Sequence, residues 1–167
     1  MNYQDIPLNN LESVLQEYCN RFEALYKQKL QEDGRMATGD LINSVRLSIE
    51  VGEENISCIL NVEDYYYYVE NGRGAGRFPP IQKIIQWVEA KGIQPYPTSD
   101  GRLPTTPQLA YLIGRKIANE GYEGKPSLAN TIEELNAIYT LKLQEALIDD
   151  FVTYMEGELK DVLESLM

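Results

Sequence analysis

Histidine is absent from this 167-residue chain. Without it, Ser-His-Asp and Cys-His catalysis cannot be assembled, and most zinc sites lose a principal ligand. The usual proton shuttle near neutral pH is gone as well. Cysteine is scarce: Cys19 and Cys58 are the only two, far apart and without metal-ligand spacing. That pattern indicates no disulfide framework. Cys58 falls within an apolar alternation and reads as a buried thiol, so synthesis and assembly in a reducing cytoplasm are expected. No uninterrupted apolar run approaches the ~20 residues of a membrane span. The opening MNYQDIPLNN has no basic stretch followed by an apolar one, so no signal peptide is expected. Basic residues are also few, 15 against 26 acidic, for a net charge of -11. That balance argues against general nucleic-acid binding, which needs a basic footprint.

What is present suits one compact domain with an extended helix attached. The hydrophobic fraction of 43% is enough for a core. Charge is distributed unevenly. Residues 1–71 carry 5 basic and 13 acidic groups, residues 72–125 carry 8 and 4, and residues 126–167 carry 2 and 9. A basic middle between acidic flanks suits docking onto acidic surfaces, copies of the same chain included.

Apolar residues from Leu11 to Leu30 recur at helical spacing, with Asn9 or Asn10 as the cap and Asp33-Gly34 as the stop. Thr38-Gly39-Asp40-Leu41 is a break and restart. Val45, Leu47, Ile49 and Val51 then alternate with polar residues, as do Ile56, Cys58, Leu60 and Val62. The intervening Gly52-Glu53-Glu54-Asn55 signals a turn. Pairing Val51 with Ile56, Ile49 with Cys58, Leu47 with Leu60 and Val45 with Val62 puts every apolar residue on one face. Asp64 caps a short helix of tyrosines, Tyr65 to Tyr68, which Gly72 ends. A loop with Arg73 and Arg77 follows, read as flexible and partner-facing. Pro79-Pro80 opens a helix with an Ile81, Ile84, Ile85, Val88 stripe that ends at Gly92. Ile93 to Pro104 is rich in proline and reads as an ordered excursion or a mobile loop. Thr106-Pro107 starts a helix with Leu109, Leu112, Ile113 and Ile117 on one side and Gly121 beyond its end. Ser127 caps a last helix running to Met167. Its apolar face includes Ile132, Leu135, Tyr139, Leu147, Phe151, Leu159 and Leu166, with Thr140 or Gly157 as a point of kinking.

Chemical motifs are sparse. Gly72-x-Gly74-x-Gly76 follows the tyrosine helix rather than a strand and lacks the Gly-Lys-Ser/Thr ending of a phosphate loop. The adjacent carboxylates Glu53-Glu54, Glu63-Asp64 and Asp149-Asp150 diverge on a strand or a helix and read as solvated faces. No catalytic, cofactor-binding or metal-ligating residue is assigned. Exposed tyrosines favour protein interfaces, because they present a rigid area with a polar tip.

In order, several segments resemble a phage protein family: the small neck, head–tail joining or tail-completion proteins of tailed bacteriophages. The matching segments are Thr38-Gly39-Asp40-Leu41-Ile42-Asn43-Ser44, the strand pair, Tyr68-Val69-Glu70-Asn71-Gly72 and the Gly-rich loop. Pro80, Ile84, Trp87, Lys91-Gly92-Ile93, and Lys125-Pro126-Ser127-Leu128 after Gly121 complete them. The likeness covers residues ~35–130 of the sequence. It implies a non-enzymatic virion component with a strand-and-helix domain. Such a component forms a homo-oligomeric ring between portal or adaptor and tail, through which DNA passes without sequence-specific binding. A ring needs a heterologous interface, one surface fitting a different surface on the next copy. Acidic residues facing a DNA channel would repel phosphate.

The resulting expectation is an α+β fold. A small antiparallel sheet with a hairpin at ~44–62 packs with several helices, and a long C-terminal helix follows. Residues 1–127 form the neck-protein-like domain and residues 128–167 a helical extension that packs on a neighbouring subunit or on its own domain. Contacts are expected at Tyr66, Tyr67, Arg73, Arg77 and Phe78. The partners are further copies and phage portal, adaptor or tail proteins, with no membrane and no cofactor; the location is the virion, after synthesis in the host bacterial cytoplasm. A tail terminator, a carboxylate-based metal-dependent hydrolase and a cytoplasmic adaptor are the alternatives.

Overall fold

The computed structural model describes residues 6–34, 39–52, 55–97 and 101–167. Thr38, the Glu53-Glu54 pair at the centre of the hairpin turn, and residues 98–100 of the proline-rich segment lie outside the described residues. The elements run α1 (Asn9–Glu32), α2 (Asp40–Ser44), β1 (Arg46–Val51), β2 (Ile56–Asn61), α3 (Tyr66–Asn71) and β3 (Gly72–Arg73). They continue through α4 (Ile81–Ala90), α5 (Thr106–Glu120), β4 (Tyr122–Glu123) and α6 (Ser127–Ser165). The fold is α+β, with two two-stranded antiparallel sheets, β1–β2 and β3–β4, and a long C-terminal helix. The chain forms two compact units. One comprises Met1–Tyr26, Arg46–Asn61 and Ala129–Met167, the other Lys27–Val45 and Val62–Leu128.

The hairpin of the first unit has the register that its alternation dictates. Leu47 faces Leu60, Ile49 faces Cys58 and Val51 faces Ile56. A slip of one residue would turn one strand's apolar set to solvent. The ladder closes at Arg46↔Asn61, so Val45 and Val62 lie just beyond it. Glu23 on α1 holds the first strand: its carboxylate accepts from the Leu47 N–H at 3.2 Å and lies 3.5 Å from Arg46. Cys19 on α1 is bonded to Cys58 on β2. The expectation of a free, buried thiol is therefore corrected. Two isolated cysteines give no spacing signal, and only the packing of a helix against a hairpin brings them together. Closing a loop of this length, 39 residues apart in sequence, contributes about 4 kcal/mol on the chain-entropy account.

The start of α1 also departs from expectation. Asn9 and Asn10 lie inside the helix, and the cap comes from α6. Asp150, 3% exposed, accepts the backbone N–H groups of Asn10 and Leu11, both at 2.9 Å. A helix N-terminus has unpaired donors and partial positive charge, so a carboxylate with two free oxygens serves it better than one local amide oxygen. The reading of Asp149-Asp150 as a solvated pair is corrected on the same ground: the two side chains diverge, and one goes inward. Near the middle of both helices the Tyr139 hydroxyl donates to Glu17 at 2.7 Å, and Lys142 lies 3.4 Å from the same oxygen. Tyr18 meets the Tyr139 ring edge-on at 5.5 Å. Phe22, Tyr26, Leu135 and Ala146 complete this buried layer.

In the second unit, Leu30, Leu41, Ile42 and Val45 are buried. A separate cluster joins Ile84 and Val88 of α4 to Ala110 of α5, with Ile81, Ile85, Leu109 and Ile113 around it. Small residues define the buried face of α5: Ala110 and Gly114 are buried, while Leu112, expected inward, is exposed. Gln108 and Thr105 form a capping box at its start. The start of α6 is held by two carboxylates. Glu70 accepts from the Leu128 N–H at 2.9 Å, and Asp33 accepts from the Ser127 hydroxyl at 2.7 Å and from Lys125 at 2.8 Å. The expected kink at Thr140 or Gly157 does not interrupt α6, which is one helix over 39 residues.

Replacing Asp150 with Ala should lower unfolding free energy by about 2 kcal/mol, because two helix-start donors lose their acceptor; urea titration measures it. Burial, then the Glu17 carboxylate, raises the Tyr139 pKa above 10.0, and burial raises that of Tyr18 in the same direction. The folded state thus holds these protons more tightly than the unfolded chain. Their contribution is full below pH 10 and is lost as pH rises beyond it. Tyr139→Phe should make the fall in stability above that pH shallower, read from urea midpoints.

Candidate partner-docking surface

Five consecutive non-aliphatic positions set the geometry of the expected contact region, from Asp64 to Tyr68. Tyr66 to Tyr68 lie on a helix, as expected, with Tyr65 just before it. Asp64 does not cap it. Tyr65 occupies the cap position without a side-chain bond, and the Tyr66 N–H goes to the Glu63 carbonyl at 2.9 Å. Tyr66 is half-buried, while Tyr67 and Tyr68 are exposed, their rings edge-to-face at 5.9 Å. The Tyr65 phenol is pushed above its ordinary range by burial first and then by the nearby Asp40 carboxylate. Gly72, at φ 72°, ends the helix.

Beyond Gly72 the chain is stitched to residues 118–125. β3 pairs with β4, Gly72 opposite Glu123 and Arg73 opposite Tyr122. The Gly76 N–H donates to the Ala118 carbonyl at 2.7 Å, and the Lys125 N–H to that of Val69 at 3.0 Å. Glycine is required where these strands of backbone meet. A Cβ at Gly72 would collide with the Tyr122 carbonyl, one at Gly121 with that of Arg73, and one at Gly124 with that of Glu70. The loop read as flexible is held at Gly76 by its bond to Ala118, and Gly72, Gly121 and Gly124 allow the close main-chain approach beside it.

The expected contact residues separate within this frame. Arg73 is half-buried, and its guanidinium donates to the Arg77 carbonyl, so it braces the loop. Arg77 is exposed. Phe78 lies over Gly114, with its ring 5.6 Å from that of Tyr111. It anchors the loop to α5 and leaves about a third of its surface open, 38%. Tyr67, Arg77 and the outer edge of Phe78 are therefore the presented groups, and Tyr66 and Arg73 their supports. Sequence reasoning missed Tyr68, Tyr111 and Trp87 as exposed aromatics. Trp87 had a signal, since it falls off the Ile81, Ile84, Ile85, Val88 stripe. Tyr111 had the same signal, since it falls opposite the Leu109, Leu112, Ile113, Ile117 side of α5. Next to Tyr111, a hollow of about 520 Å³ is lined by Arg102, Leu103, Pro104, Pro107, Gln108 and Leu112. Among its described lining residues, Arg102 and Tyr111 are the ionisable groups. Among the described residues, no group of three or more His, Cys, Asp or Glu is placed to hold a metal ion.

Gly124→Ala should cost on the order of 2 kcal/mol or more, because backbone must shift to admit the methyl group. Gly74→Ala, with open space around it, should be close to neutral; thermal melts of the pair make the comparison. No family model, no curated protein and no solved structure matches this chain.

Proposed function

We propose that this chain is a structural assembly protein that works by docking, and that it forms a ring at the head–tail junction of a tailed phage. The observation that carries the docking part is the surface around α3 and the following loop. Exposed Tyr67 and Tyr68, Arg77 and the rim of Phe78 stand on a main-chain frame, with Arg77 and Phe78 inside the basic segment 72–125 and the two tyrosines at the end of the acidic segment before it. Rigid aromatics beside an arginine are the composition of interface hot spots. The phage setting rests on the ordered resemblance across residues ~35–130 of the sequence. In that setting the acidic flanks supply the complementary half of a heterologous interface, since one ring surface must fit a different surface of the next copy. The chemistry is shape and charge, without bond making. The location is the virion, and the neighbours are portal, adaptor or tail proteins.

The double variant Tyr67→Ala, Arg77→Glu tests this reading, with Arg73 kept because it braces the loop. The wild-type chain should assemble into rings visible by electron microscopy, and assembly should weaken as salt rises. The variant should assemble at least about tenfold more weakly with an unchanged circular-dichroism spectrum. Assembly of the folded variant at wild-type strength would remove this surface from the account.

A further inference from the structure

Helix α6 has two apolar faces with different periods. The buried face runs Thr131, Leu135, Tyr139, Ala146, Asp150 and packs within its unit. The other is exposed. Ile138, Leu141, Ile148, Val152, Leu159 and Val162 all lie open to solvent. Their positions fall on alternating steps of three and four residues from 138, and the pattern reaches Leu166, which is 78% exposed. Met155 fills one intermediate step and Glu145 the other, the single polar interruption. This is a heptad seam sustained for four repeats, with an average spacing of 3.5 residues. A surface that only packs on its own globular domain follows the 3.6-residue period of the helix. A strict 3.5-residue spacing keeps side chains aligned only with a second helix that supercoils around the first.

We infer that this seam pairs with the same seam of a second copy of the chain, as an α6–α6 coiled coil. An a/d seam supplies both knobs and holes, so it is complementary to itself, as a two-fold interface requires. The seven exposed seam residues present roughly 800 Å² of accessible surface per copy, which matches the ~800 Å² per partner of a standard stable interface. The flanks set the electrostatics. Asp149, Glu156 and Glu158 border the seam against Lys142 alone, so two copies repel there and screening strengthens their association. Glu145, within the seam, loses solvent on pairing and weakens the contact while restricting its register. The pairing is closed after two copies. It uses no residue of the Tyr67–Arg77 surface and does not rest on the ring reading; its opposite salt dependence separates the two.

The experiment is light scattering with sedimentation equilibrium on the full chain at low and high salt. The variants are Ile148→Glu with Leu159→Glu, Glu145→Leu, and Tyr67→Ala with Arg77→Glu. The substituted seam residues are exposed in the single copy, so far-ultraviolet circular dichroism should confirm an intact fold. Pairing should tighten with salt, weaken at least ~100-fold in the double-glutamate variant and tighten about tenfold in Glu145→Leu. The Tyr67→Ala, Arg77→Glu chain should retain it. A wild-type chain that stays monomeric at tens of micromolar in both salts, or pairing unchanged by the two glutamates, overturns the proposal.

Discussion

Each of the two longest helices begins where a carboxylate from elsewhere in the chain reaches its free N–H groups. Asp150 does this for α1, and Glu70, with Asp33 on the neighbouring serine, does it for α6. A helix start is a fixed cluster of donors with partial positive charge, and burying it unpaired is costly. An acceptor supplied from a distant segment satisfies the donors and also dictates which segments lie together. The Asp150 cap positions the start of α1 against the later turns of α6, so Tyr18, Phe22 and Tyr139 meet and Glu17 accepts the Tyr139 hydrogen bond. The Glu70 cap ties the end of the tyrosine helix to the first turn of α6. That tie places α3, and with it the exposed tyrosines, relative to residues 125–128. Polar groups thus specify the arrangement that apolar burial stabilises. The disulfide adds a covalent tie to the same layer by fixing α1 to the hairpin.

Where information was local, the sequence could be read directly. The hairpin register followed from two alternations of equal length, because side chains change face at every residue. The helix from Ile81 followed from two prolines before it and Gly92 after it. Features built from distant residues were not legible. Asp150 looks like any helical aspartate until its turn faces α1. Cys19 and Cys58 have no spacing that encodes their bond. Gly72, Gly121 and Gly124 carry the composition of a flexible loop, and only the pairing of Arg73 with Tyr122 shows that they admit backbone to backbone. Among the expected contact residues, which side chains are exposed, Tyr67 and Arg77, and which are half-buried, Tyr66 and Arg73, depends on neighbours outside the segment.

Helix α6 shows the limit of reading apolar pattern as a single face. One hydrophobic inventory from Ile132 to Leu166 contains two registers, one used within its unit and one exposed to solvent. Their angular drift becomes apparent only once burial assigns Leu135, Tyr139 and Ala146 to one side. A helix of this length is too rich in leucine, isoleucine and valine to be covered by one 24-residue partner such as α1. The excess surface is as much a part of the sequence's instruction as the core.

The crossing at Gly72, Gly121 and Gly124 has a consequence for how this surface can change. At that crossing main chain meets main chain, and the Arg73 guanidinium and the Phe78 ring add side-chain anchors to the loop beyond it. The tyrosines and the arginine outside that crossing can be exchanged for other residues without loosening the frame beneath them. Surface chemistry and scaffold integrity are therefore separable in this region, and the exposed side chains can vary one at a time.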